Sequence, residues 1–329
     1  MISIIIVGKN EGWRLTKCLA SISKLIKENR AYDIETIYVD SKSSDDSLER
    51  AQEFNYVRIF QITGATNSAI ARNIGAKEAR GEILFFIDGD MENQSSFIEH
   101  AIDANGELKF DYLTGHLDDY FYTTTNSFIG HSPRTYQIRI PSEKQELKMN
   151  GGLFMIKKKV WDMAGGMRNK YKRSQDLDLT IRLKKKGIKI IRIPYFAAKH
   201  HTINYNDESR MWTNLLNKYS FYSALIFRDH LLNSDVMKRT IRSNYTELLL
   251  LVTGLLCFLT FSTMPIYIYF KVLVIRVFYN TRLTKSTWSK FFYFFSRVFY
   301  QISFDISFWI GFLFFYPKNH IIEYEQSKN

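Results

Sequence analysis

Short apolar runs rich in β-branched residues, at 2–7, 34–40, 57–62 and 82–87, alternate with stretches of helical spacing at 13–27, 45–54 and 65–79. In the first helical stretch Leu15, Leu19, Ile22 and Ile26 form one apolar stripe, as a helix packed on a sheet requires. Strands that read as nearly continuous apolar segments are buried on both faces. The pattern therefore predicts an α/β domain, Rossmann-like, with a mostly parallel sheet and helices on both faces. In such open sheets, ligands bind beyond the carboxyl ends of the strands. The chemistry-bearing residues stand there: Gly8-Lys9-Asn10-Glu11, Asp40-Ser41-Lys42-Ser43 and Asp88-Gly89-Asp90.

Two carboxylates one residue apart at the end of a buried strand repel, and unpaired they are driven to share a proton. A hard divalent cation removes the conflict, because Mg²⁺ or Mn²⁺ takes carboxylate oxygens and keeps positions for phosphates. Taken alone, the same tripeptide also reads as an acidic turn that closes a strand.

The net charge of +12 over 329 residues points to anionic partners: nucleic acid, phosphorylated small molecules or an acidic membrane surface. There is no zinc-finger spacing, RNA-binding aromatic signature or continuous basic helix, which argues against nucleic acid. Cys18 and Cys257 are far apart, so a disulfide framework is excluded and a reducing compartment is expected. The opening "MISIIIVGKNEG" has no basic start and only a short apolar run, and reads as a first strand rather than a signal sequence.

The composition changes after about residue 205. Residues 248–270 carry no charge, and a bilayer crossing takes ~20 apolar residues. A second aromatic-rich stretch, 291–316, is interrupted by Arg297 and Asp305. No acid occurs from 248 to 304, whereas Lys271, Arg276, Arg282, Lys285, Lys290 and Arg297 are basic. A single crossing from a cytosolic domain would place several of these outside, against the positive-inside tendency. Pro265 permits a kink or re-entrant turn. The alternatives are aromatic-basic helices lying at the interface on anionic lipid, or a buried core helix. The expected organisation is an α/β domain at 1–205 and a hydrophobic helical, membrane-associated region at 206–329.

In order, "IIIVGKNEGWRLTKCLASI", "IETIYVDSKSSDDS" and "GATNSAIARNIGAKEARGEILFFIDGDM" are followed by "MNGGLFMIKKKVWDMAGGM" and "SQDLDLTIRLKKKGIKIIRIP". Together they resemble the motifs of the family 2 glycosyltransferases of the GT-A fold. The family pattern is an Asn-containing loop, an Asp-x-x-Ser-x-Asp turn, an Ala-Arg-Asn helix and an Asp-x-Asp. A Gly-Gly segment and Glu-Asp-x-Asp-Leu-x-x-Arg-Leu follow. The resemblance covers roughly residues 1–205.

What the resemblance implies is specific. Lys9, Asn10 and Glu11 would line a base and ribose pocket, Asp40 would accept from a uracil N3–H with Ser43 beside it, and Arg72 would face the pyrophosphate. For Arg72 the alternative is a surface ion pair with Glu78. Asp88 and Asp90 would hold Mn²⁺ or Mg²⁺, with Asp88 also at the nucleotide. One of His200 and His201, with His201 preferred, would be a third ligand. Gly151, Gly152 and Gln175 would form the acceptor side, although Gln175 departs from the family's usual glutamate. Asp176 would be the general base that takes the acceptor hydroxyl proton, and Asp178 would cap the helix. The basic run 168–173 is expected to be a mobile loop that closes over a diphosphate leaving group or a lipid-linked pyrophosphate acceptor, and loops such as 117–141 to shape the acceptor pocket.

The implied activity is inverting, metal-dependent transfer from a nucleotide-sugar, a UDP-sugar, to a hydroxyl of a saccharide acceptor. The expected acceptor is lipid-linked, at the cytoplasmic face of the cell membrane, in polysaccharide or O-antigen assembly. The rival readings are a polyprenyl-phosphate glycosyltransferase and a catalytically silent nucleotide-sugar-binding subunit.

Overall fold

The computed structural model describes residues 1–123, 125–133, 143–203, 208–281 and 290–327. The chain divides into two compact units, Met1–Tyr205 with Lys318–Asn329, and Asn206–Pro317. In the first unit β1 (Ile2–Gly8), α1 (Trp13–Glu28), β2 (Ile34–Asp40), α2 (Ser47–Gln52), β3 (Val57–Ile62), α3 (Ser68–Glu78) and β4 (Ile83–Asp88) alternate as expected. There follow β5 (Met91–Asn93), α4 (Phe97–Ala101), β6 (Tyr112–Tyr122), β7 (Phe128–Pro133), β8 (Gln145–Glu146) and β9 (Phe154–Lys157). Then come α5 (Lys158–Ala164), α6 (Gln175–Lys185) and β10 (Ile191–Ile203). After the second unit, β11 (Tyr324–Gln326) completes the sheet.

The strand order is β11-β3-β2-β1-β4-β9-β6-β10-β5, with β7 on β6 and β8 on β10. The β3-β2-β1-β4 half is parallel. In the other half β9 is antiparallel to β4 and β6, and β5, β7 and β8 are antiparallel additions. The sheet is thus mixed rather than mostly parallel. One cause is loop length: β7 turns back from β6 over residues 123–127, too few for the crossover a parallel neighbour needs. The expected 206–329 region is also divided, because β11 pairs antiparallel with β3, Tyr324 opposite Ile62, and returns the tail to the first unit.

Side chains alternate across β1. Ile2, Ile4 and Ile6 join Leu15, Leu19, Ile22 and Leu25 of α1 in one core layer, while Ile5 and Val7 join Ala69, Ile70 and Ile74 of α3 in the other. α3 lies close against β1 because a Cβ at Gly75 would run into Cγ2 of Ile5. In β10 the ladder to β6 slips between Arg192 and Ala198. Pro194 lies within that slip and has no N–H to give the ladder.

At the opposite end of the sheet, Glu35 ties three strands. Its Oε1 accepts from Ser3 Oγ and the Arg80 amide, both at 2.6 Å, and its Oε2 meets Arg58 Nη1 at 3.0 Å. Burial alone would raise this carboxyl, but the hydrogen bonds from Ser3, Arg80 and Arg58 outweigh it and hold the group below its ordinary 4.5. A depressed carboxyl contributes stability above its unfolded value and loses it as pH falls through the folded value. Glu35→Gln is therefore expected to cost about 1–3 kcal/mol at pH 7. The difference from wild type should close as denaturant melts are taken down through pH 4.5.

The second unit is helical: α7 (Glu208–Leu216), α8 (Tyr219–Asp229), α9 (Ser234–Ser243), α10 (Tyr245–Thr260), α11 (Met264–Thr281) and α12 (Lys290–Phe314). The uncharged 248–270 stretch is not one helix. It breaks at Phe261, which is left-handed (φ 50), and Ser262 Oγ then accepts from the Met264 amide at 3.2 Å. α11 returns antiparallel to α10, since Arg276 donates to the Ser243 carbonyl at 2.6 Å. Among the described residues no single helix is long and apolar enough to cross a membrane; α9 and α10 pass that test only as a pair bent by 84°. Asp305 of α12 is fully buried, taking hydrogen bonds from Tyr269 at 2.9 Å and Gln301 at 2.6 Å. Arg282 and Lys285 lie outside the described residues.

Candidate active site

The carboxyl ends of β1 and β4 lie side by side, with Val7 opposite Asp88, and a cavity of about 350 Å³ opens there. Gly8, Lys9 and Glu11 line it after β1, Ser41 after β2, and Asp88 and Asp90 after β4. Thr66, Asn67 and Ser68 at the start of α3, and His200 of β10, complete the wall. Asn67 caps α3, its Oδ1 accepting from the Ile70 amide at 2.9 Å. The positive end of that helix therefore faces the cavity, an arrangement suited to an anion.

One turn into α3, Arg72 is only 2% exposed and bridges two carboxylates. Its Nη2 meets Asp88 Oδ1 at 2.6 Å and its Nη1 meets Asp176 Oδ1 at 3.4 Å. The alternative partner, Glu78, is taken by Arg58 at 3.4 Å and by the Tyr324 hydroxyl at 2.6 Å.

Asp176 sits in the first turn of α6, whose N-cap Ser174 is left-handed (φ 65), a conformation few serines adopt. Burial raises the Asp176 carboxyl above its ordinary value; Arg72 opposes this and Asp88 adds to it. Gly151 lies directly against it: a Cβ there would stand 2.6 Å from Asp176 Oδ2 and 2.8 Å from its Cγ. Gly152 follows with φ +80. Gln175 is buried, and its Oε1 has no hydrogen-bond partner among the described residues.

Several expectations need correction. Asp178 does not cap α6; it is fully buried and pairs with Arg182 at 2.8 Å and Arg168 at 3.3 Å. The 168–173 run is not a free basic loop, because Tyr171 is fully buried and the Asn169 carbonyl accepts from Asn67 Nδ2 at 2.8 Å. Of the supposed acceptor loops in 117–141, residues 117–122 belong to β6 and 128–133 to β7, while 124 and 134–141 lie outside the described residues.

Asp40 and Ser43 do not line the cavity. The Asp40 carboxylate is 3% exposed and accepts from Tyr38 OH at 3.0 Å, Ser43 N at 2.9 Å and Ser43 Oγ at 2.6 Å. Asn10, left-handed at φ 58, faces that turn and accepts from the Ser44 amide at 2.8 Å. Asp40, Ser43 and Asn10 thus tie the loops after β1 and β2 to each other, while Lys9 and Glu11 line the cavity.

The histidine at the cavity is His200 rather than His201. β5 begins directly after Asp90 and pairs Met91 with His200, so the ladder sets His200 Nε2 3.2 Å from Asp90 Oδ2. Its Nδ1 meets Asp119 Oδ1 at 2.7 Å, the kind of outer partner that orients a metal-binding imidazole. His201 is 2% exposed and spends both ring nitrogens elsewhere, on Tyr122 OH at 3.0 Å and Glu92 Oε2 at 3.1 Å.

Burial, then the negative charges of Asp90 and Asp88, push Glu11 up to about 8, with Arg14 opposing. Such crowding of oxygen donors beside an imidazole fits Mg²⁺ or Mn²⁺ by type. Among the described residues no group of three His, Cys, Asp or Glu is already drawn together as a metal site. Asp88 leans on Arg72 and Asp90 on His200.

The mixed α/β sheet, with an acid-flanked cavity at the ends of its parallel strands, is of the GT-A-like class. The structure of GalNAc-T7 with UDP, GalNAc and Mn²⁺ shares this fold, with a TM-score of 0.50 and 17% identity, over 71% of this chain and 52% of that one. Residues 3–171 match the model for glycosyl transferase family 2, and the chain belongs to that family. Glycosyltransferase GlyG of Streptococcus pneumoniae is 29% identical over 168 residues, 47% of this chain and 54% of that protein. Polypeptide N-acetylgalactosaminyltransferase 3 of Drosophila melanogaster is 26% identical over 193 residues, 50% of this chain and 29% of that one. The 4,4'-diaponeurosporenoate glycosyltransferase of Staphylococcus haemolyticus is 32% identical over 109 residues, 31% of this chain and 27% of that one. The chain thus spans about half the length of GlyG and under a third of the other two.

Proposed function

We propose that the chain is a metal-dependent, inverting glycosyltransferase that moves a sugar from a UDP-sugar to a hydroxyl of a lipid-linked saccharide, in cell-surface polysaccharide assembly. The observation that carries this reading is the buried Arg72, which joins Asp88 at the cavity to Asp176 beside Gly151. One guanidinium thereby links the donor's diphosphate side to the acceptor's base.

In this reading Lys9 and Glu11 contact the nucleoside, with Asp40, Ser43 and Asn10 shaping the loops beneath it. The start of α3 and Arg72 offset negative charge on the diphosphate. Asp88, Asp90 and His200 hold Mn²⁺ or Mg²⁺, which when bound supplies further positive charge to the leaving group. Gly151, Gly152 and Gln175 border the acceptor. Asp176 accepts the acceptor proton as the acceptor oxygen bonds to the anomeric carbon and the bond to the β-phosphate oxygen breaks. Attachment to the cytoplasmic face of the membrane is part of this reading, supported by the second unit, where Phe258 is 74% and Phe261 94% exposed and where Lys271 and Arg276 of α11 supply charge that suits anionic lipid.

Calorimetry with UDP tests this. Detergent-purified protein is expected to bind UDP in the presence of Mn²⁺, and at least about 100-fold more weakly without it or with Asp90→Ala. Equal binding by the variant would remove Asp90 from the donor site.

A further inference from the structure

The segment 167–171, which leads toward Asp176, is clamped on two sides. On the inner side Asn73 of α3 makes a reciprocal pair with Met167: its Nδ2 donates to the Met167 carbonyl at 2.7 Å and its Oδ1 accepts from the Met167 amide at 2.9 Å. The Asn169 carbonyl accepts from Asn67, the cap of α3 and a wall of the donor cavity, at 2.8 Å. On the outer side lies the C-terminal tail. Asn169 Nδ2 donates to the His320 carbonyl at 3.0 Å, the His320 amide donates back to Asn169 Oδ1 at 2.8 Å, and the Lys170 amide donates to Asn319 Oδ1 at 2.9 Å.

The tail is itself anchored beyond this point. β11 extends the sheet at β3, and Glu323 accepts from the Thr63 amide at 3.0 Å, just before the cavity-lining Thr66. Tyr324 donates to Glu78 at the far end of α3 at 2.6 Å. The tail therefore grips α3 directly at its last turn and, through Asn169, at its first.

We propose that the C-terminal tail is a positioning element of the donor site, and that Asn169 is the residue through which it sets the start of α3 and hence Arg72. A side chain with one donor and one acceptor is needed, because Asn169 satisfies both the carbonyl and the amide of His320. Aspartate keeps the shape and the acceptor but turns the donor into an oxygen facing a carbonyl. The tail's last anchors at β11 stay in place, so the perturbation is local.

The claim that the donor is a nucleotide rests on the glycosyltransferase reading; the claim about α3 does not. The test uses the full chain carrying Asn169→Asp or, more mildly, Asn319→Ala. In protein without ligand, amide hydrogen exchange at 70–73 should quicken about 10-fold for Asn169→Asp, with β1 and β4 protected as in wild type. With Mn²⁺ present, the UDP dissociation constant should rise by a similar factor, and in turnover the donor KM should rise more than kcat falls. Unchanged exchange at 70–73 overturns the proposal. So does a uniform loss of protection across the sheet in both variants, since the tail would then only stabilise the fold. Should wild type fail to bind UDP, the donor reading falls, while the exchange at 70–73 still decides the role of the tail.

Discussion

Arg72→Met is expected to reduce kcat/KM by about 10³-fold, the upper end of what loss of one preorganised donor costs. The guanidinium is the counter-charge common to Asp88 and Asp176, so its removal leaves both carboxylates without it. Losing one partner of a buried ion pair costs about 3–5 kcal/mol. The side chains of Asp88 and Asp176 are 32% and 24% exposed, so water repays part of this and the lower end applies. A second signature separates chemistry from stability. Arg72 is the larger of two influences that lower the Asp176 carboxyl, with a backbone hydrogen bond, against burial and Asp88. Without it the group holds its proton to higher pH, and the acid limb of the kcat/KM profile should move upward. Arg72→Lys reaches one carboxylate rather than two, so it should recover stability better than rate. A profile whose acid limb stays in place in Arg72→Met would mean that Asp176 is not the titrating base.

Gly151→Ala is expected to cost about 100-fold in kcat while leaving UDP affinity within about twofold, because displacement of a catalytic group by an ångström has effects of that order. The added methyl would lie 2.6 Å from Asp176 Oδ2, so one of the two must move. The Gly151 carbonyl already accepts from the Leu153 amide at 3.2 Å, and Leu153 is fully buried, which favours movement of the carboxylate. Paired steady-state kinetics and UDP calorimetry check the prediction. A normal kcat would show that the carboxylate does not have to stand where it does.

The parallel half of the sheet was legible because each of its strands is a short run dominated by apolar, largely β-branched residues. β2 and β3 have the expected bounds, β1 runs one residue further, and β4 is shifted by one residue at each end. The mixed half, where β9 is antiparallel to β4 and β6 while β10 is parallel to β6, was not legible, because a direction of pairing leaves no mark on a strand's own periodicity. The tail strand was hidden for a related reason: Tyr324-Glu325-Gln326 has no apolar alternation and gains its place from the β3 edge. At the site, Asp88, Asp90, Arg72, Glu11 and Asp176 lie where strand ends and helix starts bring them together. For Glu11, Asp88 and Asp90 this could be anticipated from their positions at strand ends, whereas Arg72 and Asp176 were indicated only by the resemblance to family 2 glycosyltransferases. The choice between His200 and His201 depended on register, since adjacent residues in a strand face opposite ways. That register is set by β5 pairing with β10, a contact with no local signal. Thr66, Asn67 and Ser68 were missed as cavity residues, although an Asn ahead of a helical run is a capping signal that would have directed attention there.

The position of β11 also bears on how the protein is made. Gln61 and Ser327 are hydrogen-bonded across 266 positions, and contacts so distant in sequence form late. During synthesis β3 has its outer edge uncovered while the whole of the second unit, with its exposed phenylalanines, leaves the ribosome. An open strand edge and unsatisfied apolar surface, exposed in one nascent chain at the same time, are hazards for aggregation. Overproduction of chains stopped short of Tyr324 should therefore yield inclusion bodies more readily than the full chain, at equal rates of translation.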